Sequence, residues 1–218
     1  MRALVLFSGG LDSTVLAAKM KNEADETRLL SIDYGQRHAK ELDHSKIVAQ
    51  QMDLPHQILY LPQLGEILGG SSLTDNNVAL PEGHYAEESM KSTVVPNRNM
   101  ILLALAGGHA LSLSYDTIAY AAHAGDHTIY PDCRPEFANA MDTVLGLADW
   151  ENLSLYRPFV SLSKADLVTL GHDLKAPLDL TWSCYAGREL HCGKCGTCVE
   201  RKEAFALAKI PDPTKYED

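Results

Sequence analysis

Four of the five cysteines follow the pattern Cys184-x7-Cys192-x2-Cys195-x2-Cys198, and Cys133 stands apart from them. Thiolates at that density are soft ligands suited to a tetrahedral zinc ion, and Gly193 and Gly196 allow the tight turns that two-residue spacings demand. An iron–sulfur cluster is the rival occupant. Zinc is the preferred reading, because a closed structural site lets a short segment without its own core fold. An odd cysteine count with this dense spacing suits a metal site in a reducing compartment better than a disulfide framework. Near the other end of the chain, Ser8-Gly9-Gly10-Leu11-Asp12-Ser13 joins an apolar run to a helical pattern. The free backbone N–H groups and the positive end of the helix dipole then face one point, which suits an anion. Two glycines let a phosphate come close to the backbone there. No Gly-Lys-Ser/Thr follows, so this is not a Walker A loop, and the spacing is not GxGxxG.

The elements that must position these groups can be read from periodicity. Arg2 to Phe7 is a short aliphatic run and Ser13 to Lys21 has apolar residues at helical spacing, which places the glycine loop between a strand and a helix. Thr27 to Tyr34 is a second apolar run, Lys40 to Met52 is helical in period, and Gln57 to Leu61 is a third short strand. Continuous rather than alternating apolar strands in the order βαβαβ predict an α/β fold, a Rossmann-like parallel sheet with helices on both faces. Asn97 to Leu113, Pro135 to Leu147 and Ser163 to Leu174 predict helices, and Thr117 to Ala121 a fourth strand. Between Gly69 and Thr93 periodicity disappears while Gly, Ser, Asn and Pro accumulate, which predicts a mobile loop over 69–93 acting as a lid. The expected organisation is a main domain over 1–180 and a metal-binding appendage with a C-terminal helix over 181–218. In a doubly wound sheet the ligand crevice lies outside the carboxyl ends of the strands. Ser8 to Ser13, Asp33 to His38, Pro96 to Asn99 and His123 to Arg134 all fall there.

The 218 residues are 45% hydrophobic and 22% charged, enough for one sizeable core. With 29 acidic against 19 basic side chains the net charge is −10, so direct nucleic-acid contact is not expected. No apolar stretch approaches the roughly 20 residues of a membrane span, and the chain reads as cytoplasmic with no membrane partner.

The glycine loop resembles the SGGxDS signature of the PP-loop ATP pyrophosphatase superfamily, matched at Ser8, Gly9, Gly10, Asp12 and Ser13. Other segments carry the resemblance further: DYGQRH from Asp33, VPNRN from Val95, YPDCRPEF from Tyr130 and TWSCYAGRELHCGKCGTCVER from Thr181. With FSGGLDS from Phe7 they are jointly similar, over nearly the full length, to the 7-cyano-7-deazaguanine synthase family, departing chiefly at His123-Ala-Gly-Asp-His127. The resemblance implies an ATP-dependent ligase that turns 7-carboxy-7-deazaguanine and ammonia into the nitrile through adenylated carboxylate and amide. It implies ATP held, with Mg²⁺, by Phe7, Ser8, Gly9, Gly10, Leu11, Asp12, Ser13, Thr14, Asp33 and Tyr34. Ser8, Asp12, Ser13 and Lys164 would carry the chemistry, Lys164 as a second pyrophosphate contact at a helix start. Zinc would sit on Cys184, Cys192, Cys195 and Cys198, in a homodimer.

A deazaguanine presents two adjacent donors, N1–H and the exocyclic amine, and a carboxylate accepts from both at once. Asp126, Asp132 and Glu136 are the carboxylates available in their segment, and the sequence does not choose among them. Arg98 and Arg134 are the candidates to hold the substrate's own carboxylate. Cys133 reads as a small packed residue, since adenylation and ammonia attack need no thiol. Two other readings stand beside this one. A tRNA-modifying PP-loop enzyme would need a basic surface and a sulfur-handling cysteine such as Cys133, and the net charge opposes it. A non-catalytic ATP- and zinc-binding sensor would not need Arg98, Asp126, Asp132 and Arg134 grouped at the mouth of the sheet.

Overall fold

The computed structural model describes residues 1–37, 40–75, 77–83 and 88–217. Five strands, β1 (Arg2–Leu6), β2 (Glu26–Asp33), β3 (His56–Tyr60), β4 (Thr117–Ala119) and β5 (Ser154–Tyr156), pair in parallel in the order β3-β2-β1-β4-β5. The helices in chain order are α1 (Leu11–Glu23), α2 (Lys40–Gln51), α3 (Gln63–Ile67), α4 (Arg98–Ser112), α5 (Pro135–Leu147), α6 (Lys164–Asp173) and α7 (Gly196–Ala208). Alternate residues of β1 serve opposite layers, as the two-residue period of a strand requires. Ala3, Val5 and Phe7 pack with Val15 and Met20 of α1, Val48 of α2, Leu167 of α6 and Phe205 of α7. Leu4 packs with Leu30, Ile118, Leu103 and Ala106 of α4, and Leu145 of α5. Ala3, Leu4 and Val5 are all fully buried, and each Leu or Val side chain so placed contributes about 1.5–3 kcal/mol. That is why these strands read as continuous apolar runs.

The steps from β1 to β2 to β3 cross on the α1 and α2 face, while the steps to β4 and β5 cross under α4 and α5. Winding therefore reverses between β1 and β4, and a crevice opens at their carboxyl ends. Strand and helix ends lie within one or two residues of the sequence expectations. β5 was not expected. It is a three-residue edge strand whose Leu155 alone is buried, too short to show a period.

The segment 69–93 is pinned along part of its length. The Arg37 N–H donates to the Leu73 carbonyl at 2.8 Å, the Ser72 N–H donates to the Ser92 carbonyl at 2.8 Å, and Leu73, Met90 and Thr93 are buried. Residues 76 and 84–87 of the expected lid, and His38 of the DYGQRH motif, lie outside the described residues. The C-terminal segment is tied to the main core through α7. Arg201, only 1% exposed, donates to the Thr181 hydroxyl at 2.8 Å and the Leu178 carbonyl at 2.9 Å, and lies 3.4 Å from Asp212. A charge so deeply buried is tolerable only with such partners.

Candidate active site

At the carboxyl end of β1 the chain enters the glycine loop. Gly9 has φ +85°, and a Cβ there would lie 2.7 Å from the Ser45 backbone nitrogen and 2.9 Å from the Glu41 carbonyl oxygen of α2. Both the left-handed conformation and the pressing backbone of α2 therefore require glycine. The hydroxyls brace the loop: Ser13 Oγ accepts from the Ser8 N–H and donates to the Gly10 carbonyl, each at 3.2 Å, and Ser8 Oγ accepts from the Gly10 N–H at 3.1 Å. Helix α1 begins with extended Gly10 and no side-chain cap, so the donors of its first turn remain available to an anion. A cavity of about 250 Å³ lies beside them.

A charged cluster forms the next part of the wall. Ser163 and Asp166 build a reciprocal capping box that starts α6 at Lys164. Lys164 Nζ donates to Asp12 Oδ2 at 2.6 Å and lies 3.3 Å from Glu200 Oε2 on α7. Burial would push the Asp12 carboxyl up, but Lys164 outweighs it and holds the group below the ordinary carboxylate range. Burial pulls Lys164 down, yet Asp12, Glu200 and Asp126 keep it above the usual lysine value, so it is a permanent cation. Burial raises the Glu200 carboxyl against the pull of Lys164. His123 is almost fully buried, with Nδ1 accepting the Gly125 N–H at 3.1 Å and Nε2 lying 3.6 Å from Asp126 and 3.8 Å from Asp12. Asp12 Oδ1 is buried with no hydrogen-bond partner among the described residues. An open carboxylate oxygen of this kind fits a hard cation such as Mg²⁺.

Another part of the cavity wall is built from phenols and amides. Tyr34 keeps the Arg98 guanidinium charged against its burial, and Arg98 Nε donates to Asn99 Oδ1 at 3.3 Å. Buried Asn99 donates through Nδ2 to the Tyr120 hydroxyl at 2.8 Å and to Cys133 Sγ at 3.3 Å. Tyr185 also lines the cavity, and behind it its hydroxyl lies 3.5 Å from that of buried Tyr130, which is 2.5 Å from Thr93 Oγ1. Aromatic walls with a few polar tips suit a planar ligand. Burial pushes the Cys133 thiol up, in keeping with a packed, neutral side chain.

The three carboxylates that the sequence could not separate differ in position. Asp126 lines the cavity. Asp132 instead accepts the Asn99 N–H at 3.1 Å and caps the start of α4, while Glu136 is exposed on α5. Arg98 reaches the cavity, whereas exposed Arg134 donates through Nε to the His127 carbonyl at 2.8 Å. Of the residues expected to hold the nucleotide, Phe7, Ser8, Gly10, Leu11, Asp12, Ser13 and Tyr34 form the wall. Gly9 presses on α2, Thr14 is buried within the packing of α1, and Asp33 Oδ1 accepts the Gly35 N–H at 3.0 Å. His123, Asn99, Tyr120, Tyr185 and Glu200 were not singled out by the sequence reading.

The sulfurs of Cys184, Cys192, Cys195 and Cys198 all lie within 4.8 Å of one another, with Cys192 and Cys198 at 4.0 Å. A tetrahedral ion with Zn–S bonds of about 2.3 Å would place its sulfurs about 3.8 Å apart, so one ion fits. A cluster of several irons holds its thiolates on the outside of a cage and needs them farther apart. The segment that carries these cysteines also reaches the active site. The Trp182 N–H donates to the Gly9 carbonyl at 3.1 Å, Trp182 Nε1 donates to the Cys184 carbonyl at 2.9 Å, and Tyr185, Thr197 and Glu200 join the wall.

The sequence pattern of queuosine biosynthesis protein QueC matches residues 2–209. Similar proteins include 7-cyano-7-deazaguanine synthase 1 of Mesorhizobium japonicum and 7-cyano-7-deazaguanine synthase of Brucella ovis. Each is 54% identical over 220 residues, covering 100% of this chain and 94% of the relative. Among solved structures, NMN synthetase from Francisella tularensis superposes with TM-score 0.54 at 14% identity over 96% of this chain and 78% of that one. NH3-dependent NAD synthetase from Campylobacter jejuni superposes with TM-score 0.50 at 12% identity over 82% of this chain and 66% of that one. At such identities these two speak for the PP-loop ATPase-like fold alone. The match over residues 2–209 and the full-length relatives assign more than a fold, and the chain belongs to the queuosine biosynthesis protein QueC family.

Proposed function

We propose that this chain is an ATP-dependent ligase that converts 7-carboxy-7-deazaguanine and ammonia to 7-cyano-7-deazaguanine. One observation carries the reading: an uncapped glycine-loop helix start, the Asp12–Lys164 pair and a phenol-lined pocket with Arg98 and Asp126 share one cavity. A carboxylate is a poor electrophile and an amide oxygen a poor leaving group, so both need activation. Arg98 pairs with the substrate carboxylate and Asp126 accepts from N1–H and the exocyclic amine. A carboxylate oxygen attacks the α-phosphorus of ATP, and the departing pyrophosphate is received by loop N–H groups, the Ser8 and Ser13 hydroxyls and Lys164. Ammonia then adds to the acyl carbon, loses a proton, and AMP leaves with the C–O electron pair, giving the amide. The amide oxygen is adenylated in turn. Loss of the two nitrogen protons and of AMP leaves the C≡N triple bond. Mg²⁺, held by Asp12, would supply further neutralisation of the pyrophosphate when bound.

The reading includes one structural zinc on Cys184, Cys192, Cys195 and Cys198, a main domain over 1–180 with the metal segment over 181–218, and a homodimer in the cytoplasm. Incubating the pure protein with ATP, ammonium and 7-carboxy-7-deazaguanine should yield the nitrile by mass spectrometry, with AMP and pyrophosphate. ADP as the only nucleotide product would overturn the assignment. Elemental analysis should return one zinc per chain, and Cys195→Ser should lower both metal content and thermal midpoint. Iron with visible absorbance after anaerobic purification would refute the zinc site.

A further inference from the structure

Neither the glycine loop nor the cysteine pattern explains why a third carboxylate reaches the phosphate end of the cavity. Glu200 lies 3.3 Å from Lys164 Nζ, and Asp12 lies 2.6 Å from the same nitrogen. An ammonium has three N–H donors. Asp12 accepts one, and Glu200 is a second carboxylate paired with the same charge. His123 accepts none of the others, although its Nε2 is 3.3 Å from Nζ. Its Nδ1 already accepts the Gly125 N–H, so in the neutral ring Nε2 carries the proton. The remaining donor is left for the cavity that Lys164 lines.

We propose that Glu200 is a positioning residue for ATP: with Asp12 it clamps Lys164 so that one N–H is kept for the departing pyrophosphate. The placement of Glu200 comes from the metal segment. Helix α7 starts immediately after Cys195, holds buried Cys198 in its first turn, and presents Glu200 two residues later. Gly125 leaves the space, since a Cβ there would fall 3.0 Å from Glu200 Oε1. This inference rests on the reading of Lys164 as a pyrophosphate contact.

The test measures ATP affinity by calorimetry, and both Michaelis constants, for the metal-loaded wild type, Glu200→Gln, Lys164→Met and the double variant. Metal content and thermal midpoint verify each fold. Glu200→Gln should weaken ATP binding about tenfold, the scale of losing one charged partner of a buried ion pair. It should leave the KM for 7-carboxy-7-deazaguanine within about twofold, and add nothing to Lys164→Met. Glu200→Asp, charged but one methylene short, should fall between wild type and Glu200→Gln, and it carries the test if the glutamine variant does not fold. Unchanged ATP affinity in Glu200→Gln, or a full penalty persisting on top of Lys164→Met, would overturn the clamp. A wild type that binds ATP but makes no nitrile refutes the proposed reaction, while the calorimetric cycle still decides the clamp.

Discussion

The two ends of the cavity are held in place by different means. At the end proposed for the phosphates the decisive features belong to the backbone: the left-handed Gly9, the contact with α2 and the uncapped start of α1. At the end proposed for the base, side chains from distant segments meet through their tips, as Asn99 does with Tyr120 and Cys133. A backbone site admits few substitutions at all, whereas a side-chain site can change its preference one residue at a time. On this comparison, damage at the phosphate end removes turnover or the fold. Damage at the base end shifts the affinity for one substrate.

The sharpest break should come from Asp12→Ala, which strips Lys164 of its closest partner. Pyrophosphate release, followed in a coupled assay, should fall by about a thousandfold, the scale of losing preorganised charge. Gly9→Ala should cost about 2–4 kcal/mol in denaturant unfolding, because φ +85° and a Cβ 2.7 Å from backbone nitrogen act together. At the base end, Asp126→Asn should raise the KM for 7-carboxy-7-deazaguanine by ten- to a hundredfold, roughly the worth of hydrogen bonds to a charged acceptor, and weaken ATP binding more mildly, since Asp126 also faces His123 at 3.6 Å beside Lys164. Asp132→Ala removes a helix cap instead. It should lower stability by about 1 kcal/mol with both Michaelis constants unchanged. An effect of Asp132→Ala on substrate affinity would erase the distinction drawn between the two carboxylates.

The smallest effect is one of pH. Because the Asp12 carboxyl is held below its ordinary value, its stabilisation is present above the usual carboxylate range and is lost as pH falls through the folded value. Urea midpoints of wild type and Asp12→Asn should therefore converge as pH falls through and below the ordinary aspartate range.

Much of this architecture was readable from the residues. Runs such as 27–34 and 2–7 announce central strands because both their faces are buried, and the glycine loop announces itself through its place between strand and helix. β5 did not, since its three residues bury only Leu155. The role of Asp132 depends on where α4 begins, which is a matter of backbone geometry and not of composition. Glu200 looks like an ordinary helix-surface acid between Cys198 and Lys202. Only the packing of α7 beside α6 turns it toward Lys164.

The strand order also governs how the protein is made. β1 leaves the ribosome first, yet it must wait for β4 to flank it, and the lysine that answers Asp12 follows 152 residues later. Glu200 comes later still. Domains fold as their chains are completed, so a nascent chain carries the glycine loop long before it carries the cation that completes it. A product that stops before residue 164 therefore holds the glycine loop with Asp12 unanswered by its lysine.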